Sequence, residues 1–127
     1  MKPVFVPLAA AALLAAQAVA VLAQPAGVQT TRGNGAVLRA LDKVSSNITD
    51  LQLAPGEAAE VGRLTVRLGE CRYPTEDPNS DAYAQMVITD RSSGATLFDG
   101  WMIASSPALS ALDDARYDVW VLGCQRA

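Results

Sequence analysis

Apolar and polar residues alternate along much of the second half of the chain. Leu64, Val66 and Leu68 share one parity, and the residues between them are the polar Thr65 and Arg67. A period of two is typical of a β-strand with one buried face, because successive side chains point to opposite sides. On similar grounds we predict further strands at residues 37–44, 48–53, 83–90, 96–103 and 116–124.

Turn residues separate these segments. The sequence SSG at residues 92–94 lies between residues 83–90 and 96–103, and it predicts a β-hairpin. Pro55 and Gly56 predict another turn after the strand that ends at residue 53. The spacing of strands and turns is typical of a protein built from antiparallel β-strands.

The first of these strands has a helical alternative. Val37, Leu41 and Val44 fall on one face of a helix as well as within a strand. The segment is short and lies between Gly-rich and Ser-rich stretches, so we favour a strand. Ahead of it, residues 24–35 are polar and Gly-rich without periodicity, and they predict a flexible segment.

One helix start follows the predicted hairpin. Ser105 and Ser106 precede Pro107, which is typical of an N-cap followed by the first helical position. We predict a short helix near residues 107–112. About seven strands and this helix predict a single all-β domain at residues 36–127, built as a small sandwich or barrel.

The chain begins with a charge at Lys2 and a nearly continuous apolar run. The run is rich in Ala and ends in small residues, which is typical of a secretory signal peptide. We therefore predict a signal peptide at residues 1–23, cleaved after Ala23 or Ala20, and a location in the periplasm. The alternative is a membrane anchor formed by uncleaved residues 3–23.

Composition and charge argue against several functions. The chain has 10 basic and 13 acidic residues, a formal net charge of −3 and no basic patch, so nucleic acid is not an expected partner. It contains no His, which excludes Ser-His-Asp and Cys-His catalytic sites and zinc sites with His ligands. A serine–lysine pair of Ser105 or Ser106 with Lys43 is less favoured than an N-cap role for these serines. We therefore predict a protein that is not an enzyme.

The two cysteines, Cys71 and Cys124, predict one disulfide in an exported domain. Such a bridge closes a long loop and stabilises a small domain by roughly 4 kcal/mol in the chain-entropy model. A reactive thiol pair is the alternative, but the Cys-x-x-Cys spacing typical of redox motifs is missing.

One acidic loop raises the question of a metal. Glu76, Asp77, Asn79 and Asp81 carry oxygen ligands at close spacing, as calcium requires. The loop has neither a Gly at the sharp turn nor a closing bidentate Glu, so a solvated turn is favoured. We predict no metal and no cofactor.

The aromatic residues suggest where a partner could bind. Trp101 shares strand parity with Leu97 and Ile103, so a core position is favoured for it, while Phe98 and Met102 lie on the opposite face. Apolar residues on both faces indicate a central strand or a contact surface. The candidate contact residues are Phe98, Trp101, Met102, Ser105, Ser106 and Pro107.

Several blocks of the sequence resemble a known family. They are GAVLRALDK at residues 35–43, ECRYP at 70–74, SDAYA at 80–84 and FDGWMIASSPALSALDDARYDVWVLGC at 98–124. Together they resemble exported bacterial proteins of domain-of-unknown-function family 2155 over residues 35–124. The resemblance implies a periplasmic or envelope protein of Gram-negative bacteria, and it assigns no catalytic residue or ligand.

We therefore expect a non-enzymatic domain that binds another envelope protein or serves as an accessory domain of an envelope complex. Its partner is a protein of the envelope or of a membrane complex, and no membrane span is expected after cleavage of the signal peptide. The alternative is a small-molecule or glycan-binding module that uses Trp101 and nearby acids.

Overall fold

The structure, a computed structural model, describes residues 2–4, 27–112 and 114–126. These residues form two antiparallel β-sheets that pack face to face. The strands are β1 Thr30–Arg32, β2 Gly35–Asp42, β3 Asn47–Leu53, β4 Ala58–Val61, β5 Leu64–Pro74, β6 Tyr83–Asp90, β7 Thr96–Ile103 and β8 Tyr117–Gln125. The predicted all-β fold is confirmed, in the form of a sandwich.

The first sheet has five strands and the second has three. In the first sheet, β5 pairs with β4 along its first half and with β1 along its last residues. Strands β6 and β7 follow on the other side of β5. In the second sheet β2 lies between β3 and β8, and the β2–β8 pair packs over β5 and β6.

The core follows the alternation seen in the sequence. In β5, Leu64, Val66 and Leu68 are buried, while Thr65 and Arg67 point away from the core. Each such buried side chain contributes about 1.5–3 kcal/mol through removal of apolar surface from water. The other buried apolar residues are Ala36, Leu38, Ala40, Leu53, Cys71, Ala82, Ala84, Met86, Ile88, Met102, Leu112, Tyr117, Val119 and Val121.

Three register shifts interrupt the strand pairing. The extra residues are Gly69 in β5, Leu97 in β7 and Leu122 in β8. A β-bulge adds one residue to one strand, so the side chains on its two sides change parity relative to each other. Strand parity read from the sequence is therefore reliable only between bulges.

The predicted disulfide between Cys71 and Cys124 is confirmed, with their Cα atoms 5.6 Å apart. It joins β5 to β8 and thus links the two sheets. The chain crosses from β1 to β2 at Gly33, whose N–H donates to the Cys71 carbonyl at 2.7 Å. A Cβ at Gly33 would lie 2.7 Å from the Gln125 carbonyl oxygen and 3.1 Å from Cys124 Cβ. Only glycine therefore fits where the crossing packs on the bridge.

The strand bounds agree closely with the sequence at several places. The hairpin predicted at residues 83–90 and 96–103 is present as β6 and β7. The segment with a helical alternative is a strand, β2, in the middle of the second sheet. There its neighbours on both sides supply hydrogen bonds, which settles the ambiguity in favour of the strand.

The structure differs from the prediction of a flexible segment at residues 24–35. Residues 30–32 form β1 and pair with residues 72–74 of β5, and β2 already begins at Gly35. Strand β4 at residues 58–61 is likewise absent from the prediction, so the described region has eight strands instead of about seven. Both strands are too short to show a period.

The helix predicted near residues 107–112 is a single 3-10 turn, Pro107–Leu109. Ser106 occupies the N-cap position, but its side chain makes no capping hydrogen bond. The chain then leaves the helical path, and Leu112 becomes a buried member of the core. The chain thus buries Leu112 in the core instead of continuing the helix to residue 112.

The predicted signal peptide at residues 1–23 lies outside the described residues, apart from residues 2–4, and so do its two cleavage positions. Within the described ranges, no helix is long and apolar enough to cross a membrane. Export, periplasmic location and the membrane-anchored alternative stay predictions.

Candidate binding surface

The structure separates the six predicted contact residues. Met102 is only 1% exposed and belongs to the core, so its assignment to a contact surface is wrong. Phe98 is half-buried and packs against the core. Trp101, for which a core position was favoured, is instead 39% exposed. Pro107 is exposed on the 3-10 turn after β7.

The bulge at Leu97 explains the wrong position predicted for Trp101. Phe98 lies opposite Ile88 of the core, and Met102 lies opposite Ala84. The even-numbered residues of β7 thus face the core after the bulge, and Trp101 faces outward. Leu97 still packs against the core because it is the inserted residue. Its apparent parity with Trp101 in the sequence was therefore misleading.

Trp101 lies on the outer face of the first sheet, on the edge strand β7. Its cross-strand partner is Gln85, while Ile103 pairs with Tyr83 and Asp99 pairs with Val87. We call this surface the Trp101 face, and its members are Tyr83, Gln85, Val87, Asp99, Trp101 and Ile103. Sequence reasoning missed its β6 half, although Tyr83, Gln85 and Val87 share the outward parity of that strand.

Two arginines border the Trp101 face on β5 and β1. Arg72 pairs with Tyr83 across the β5–β6 ladder, and its Nε donates to Thr30 Oγ1 at 2.8 Å. Arg32 forms an ion pair with Glu70, which lies 3.9 Å from Arg72 Nη1. Arg72 is thus held in the position next to Tyr83, and Arg32 lies one strand further from the aromatic side chains. Trp, Tyr and Arg are the residue types that dominate binding energy in protein interfaces.

The predicted serine candidates do not form a nucleophilic site with Lys43. Ser105 donates to Asp81 from both its backbone N–H, at 2.9 Å, and its hydroxyl, at 2.7 Å. Lys43 lies elsewhere and donates to the Asp114 carbonyl at 2.7 Å. Ser105 therefore anchors the chain that follows β7, and Ser106 occupies the start of the 3-10 turn.

The chemistry of Asp81 supports the same structural role. Partial burial disfavours its charged form, but the hydrogen bonds from Ser105 and from the Ala82 N–H outweigh that effect and lower the pKa of Asp81. A carboxylate with a lowered pKa is a weak general base. The Ser105–Asp81 pair thus fixes a loop and is poorly suited to activate a hydroxyl.

A cavity of about 320 Å³ lies beside this pair, at the end of the sandwich that carries the disulfide. Asn79, Asp81, Ser105, Cys124 and Arg126 are among its lining residues. Its polar groups are already used within the protein, since Arg126 donates to Asn79 Oδ1 at 2.9 Å and Ser105 donates to Asp81. A ligand there would have to compete with these hydrogen bonds.

The acidic loop does not assemble a metal site in the structure. Among the residues described, no group of three or more His, Cys, Asp or Glu side chains is placed to hold an ion. Glu76 and Asp77 are exposed, whereas Asp81 turns toward Ser105. Ser80 closes the loop by donating to the Asp77 carbonyl at 2.7 Å. The three carboxylates therefore do not converge on one point.

Comparison with known proteins places this chain in a family. Residues 36–124 match the family described as "Uncharacterized protein conserved in bacteria (DUF2155)". The chain is also 30% identical over 94 residues to Uncharacterized protein RP359 of Rickettsia prowazekii (strain Madrid E). That match covers 72% of this chain and 60% of the relative, so the chain spans less than two thirds of that protein. No solved structure matches the chain. The match over most of the β domain shows that the chain belongs to the DUF2155 family of uncharacterised bacterial proteins.

Proposed function

We propose that this protein is a non-enzymatic domain of the bacterial periplasm that binds another envelope protein through the Trp101 face. The observation that carries the proposal is the aromatic side chain of Trp101, which is 39% exposed on the edge strand β7. Burial of such a side chain in an interface contributes strongly to binding, because it removes a large apolar area from water. The neighbouring Tyr83, Ile103 and Arg72 extend this surface.

The absence of an activated nucleophile supports a binding role. The sequence has no His, and both cysteines are used in the disulfide. Ser105 is hydrogen-bonded to Asp81, and no lysine or histidine lies beside it among the hydrogen bonds of the described residues. The remaining side-chain chemistry suits recognition better than catalysis.

Two features support export. Residues 1–23 have the composition of a signal peptide, and the Cys71–Cys124 bridge is of the kind that persists in oxidising compartments. Amino-terminal sequencing of the protein purified from a periplasmic extract tests this step. We expect the mature protein to start at Gln24, or at Val21 after the second cleavage position. A protein that retains Met1 and stays in the membrane fraction would support the anchored alternative.

Photo-crosslinking tests the binding surface directly. A photoreactive phenylalanine derivative replaces Gln85, an exposed member of the Trp101 face, and in a matched variant it replaces Gln52. Gln52 is an exposed glutamine on β3, in the other sheet. We expect one reproducible envelope protein to be crosslinked from position 85 and not from position 52.

A second substitution makes this test specific. Trp101→Ala in the Gln85 crosslinking variant should abolish the crosslink, while the far-ultraviolet circular dichroism spectrum shows that the variant keeps its β-fold. Equal crosslinking from positions 85 and 52, or a crosslink that survives Trp101→Ala, would contradict the proposed surface.

A glycan or another small molecule is the second candidate ligand. It is favoured by a cleft of about 650 Å³ that Tyr83 shares with Glu76, Asp77 and Asp81. An aromatic ring beside several hydrogen-bond acceptors is a common arrangement in small-ligand sites. Titration with soluble cell-wall saccharides, followed by NMR shifts of Tyr83 and of loop residues 75–82, distinguishes this candidate from the protein partner. Shifts that saturate at those residues would support it, and unchanged spectra would exclude these saccharides.

A further inference from the structure

The open edge of β7 has a defined hydrogen-bonding pattern. Ala104 N–H donates to the Ala82 carbonyl at 2.9 Å, in the same register as the β6–β7 ladder. Hydrogen-bonded and non-hydrogen-bonded pairs alternate in an antiparallel ladder. The pairs formed by Gly100 and Met102 with β6 are therefore hydrogen-bonded, and the backbone groups of Asp99, Trp101 and Ile103 point away from β6.

A contact at the end of β7 agrees with this assignment. The Ile103 carbonyl accepts a hydrogen bond from Ser106 N–H at 3.1 Å, on the side away from β6. Within the described chain, the structure gives no hydrogen bond to the N–H and C=O groups of Asp99 and Trp101 on that side. Both residues are exposed. The edge is thus open from Asp99 to the N–H of Ile103.

Two other edge strands lack the side chains that distinguish β7. Strand β8 is an edge strand, but its aromatic residues are buried in the case of Tyr117 and half-buried in the case of Trp120. The edge strand β3 is open to solvent, yet its Asp50 carboxylate is held by two hydrogen bonds from Arg39. Of these three edges, only β7 combines an exposed aromatic side chain with a carboxylate, Asp99, that has no ion-pair partner among the described residues.

We propose that β7 binds an extended segment of the partner protein by antiparallel strand addition. This inference rests on the proposed function and specifies how the partner is recognised. The added strand would bond to the backbone of Asp99 and Trp101, where its residues form hydrogen-bonded pairs. Antiparallel addition is favoured because that ladder is slightly more stable per residue than a parallel one.

The side chains of β7 determine the sequence of the segment. A residue that lies opposite a strand residue shares its face of the sheet, so residues opposite Ile103 and Trp101 are apolar and lie against these side chains. The residue opposite Asp99 is a lysine or an arginine, because it would neutralise the unpaired carboxylate. From its amino end the segment therefore has the pattern apolar, any residue, apolar, any residue, basic.

A short blocked peptide, acetyl-Val-Thr-Val-Thr-Lys-amide, tests this proposal with the full-length protein. We expect its binding to slow amide hydrogen exchange at Asp99 and Trp101. In the free protein these amides should exchange much faster than those of Gly100 and Met102, which bond to β6. Slow exchange at Asp99 and Trp101 in the free protein would show that the edge is already closed, and that would overturn the proposal.

Backbone methylation provides the matched control. A methyl group on the nitrogen of the central valine blocks the side that faces β7, and we expect about tenfold weaker binding or more. The same methyl group on the first threonine faces away from β7 and should change binding little. Equal effects of the two methyl groups, or no binding of the parent peptide, would overturn strand addition. Protection that grows with protein concentration alone, together with a dimer in sedimentation, would assign the edge to a second copy.

These outcomes remain distinct from failure of the proposed function. One outcome combines loss of the crosslink from position 85 in Trp101→Ala with equal binding of the two methylated peptides. That combination would support the Trp101 face as the binding surface and reject strand addition as the mode of binding. Replacement of the lysine in the peptide by glutamate should weaken binding to the wild type. The difference in affinity between the lysine and glutamate peptides should disappear in the Asp99→Asn variant, because this variant lacks the negative charge that favours lysine. A difference that persists would reject the role of Asp99.

Discussion

The two ends of the sandwich are held together in different ways. At one end, which we call the bridge end, the chain crosses between the sheets at Gly33 and the Cys71–Cys124 disulfide joins them. At the other, the hairpin end, the turns at residues 43–46, 62–63 and 91–95 each connect strands of the same sheet. The disulfide and the crossing at Gly33 thus both link the sheets at the bridge end, whereas the chain from β7 enters β8 at Tyr117, at the hairpin end.

Hydrogen bonds and side-chain packing hold the hairpin end. Tyr117 of the second sheet accepts a hydrogen bond at its hydroxyl from Arg63 N–H, in a turn of the first sheet, at 3.2 Å. Within each sheet, aspartates stabilise the turns: Asp42 binds Arg116, and Asp90 accepts from Ser92 N–H at 2.8 Å. The comparison predicts that the sheets separate first at the hairpin end, where no disulfide joins them.

The largest expected effect comes from removal of the disulfide. The double substitution Cys71→Ala and Cys124→Ala should lower the free energy of unfolding by about 4 kcal/mol, because it releases a long loop in the unfolded state. The sequence separation of the two cysteines is 53 residues. Urea denaturation of the variant and of the oxidised wild type measures this difference. A loss below about 1 kcal/mol would show that the bridge end does not depend on its covalent link.

The next effect tests the close packing at the bridge end. Gly33→Ala should lower the free energy of unfolding by about 2 kcal/mol, because the new Cβ would overlap the Gln125 carbonyl. Gly123→Ala is the matched control at the same end, since no atom lies within 4 Å of its new Cβ. Thermal unfolding of both variants distinguishes them. Equal melting temperatures would contradict the tight fit at Gly33.

A smaller effect is expected at the hairpin end. Tyr117→Phe keeps the buried ring and removes the acceptor of the Arg63 N–H, so the free energy of unfolding should fall by about 1 kcal/mol. Amide exchange should accelerate at Arg63 and in its turn, while amides near Cys71 stay protected. Accelerated exchange at both ends together would show that the sandwich opens as one unit.

The smallest effect concerns acid. The hydrogen bond from Arg116 is the largest cause that lowers the pKa of Asp42 to about 2, below the value of about 3.9 typical of an unfolded chain. Because the folded-state pKa is the lower one, the stabilisation is complete above about pH 4 and is lost as the pH falls through about 2. Asp90 contributes in the same direction, since bonds from Ser92 and Ser93 lower its pKa.

Asp42→Asn measures this contribution. Urea unfolding from about pH 5 to about pH 2 covers the range over which Asp42 titrates. Over this range the free energy of unfolding should fall less steeply in the variant than in the wild type. Parallel curves would mean that Asp42 carries no pH-dependent stabilisation of the hairpin end.

The strands of the central hairpin were predictable because their pattern is local. Residues 83–90 contain no Gly or Pro and carry the apolar Ala84, Met86 and Ile88 at alternate positions, and the SSG turn indicates where the chain reverses. The disulfide was predictable from the count of two cysteines in a chain with an export-like leader. None of these inferences needed to know which strands become neighbours.

The remaining features depend on tertiary contacts. Strand β1 has three residues and forms because β5 extends far enough to pair with it. Trp101 faces outward because one residue, Leu97, is inserted relative to β6, and a pattern within β7 alone cannot reveal an insertion relative to another strand. The parity of β6 indicates its outward residues, but only the β6–β7 register places them beside Trp101.

The pairing of β2 with β8 has a kinetic consequence. Gly35 pairs with Gln125, so the middle strand of the second sheet pairs with a strand at the far end of the described domain. Contacts between residues so distant in sequence slow folding, because a long loop must close before the pairing can form. The domain therefore cannot complete its second sheet until β8 is free to pair. Folding and formation of the Cys71–Cys124 bond both wait for the same late strand.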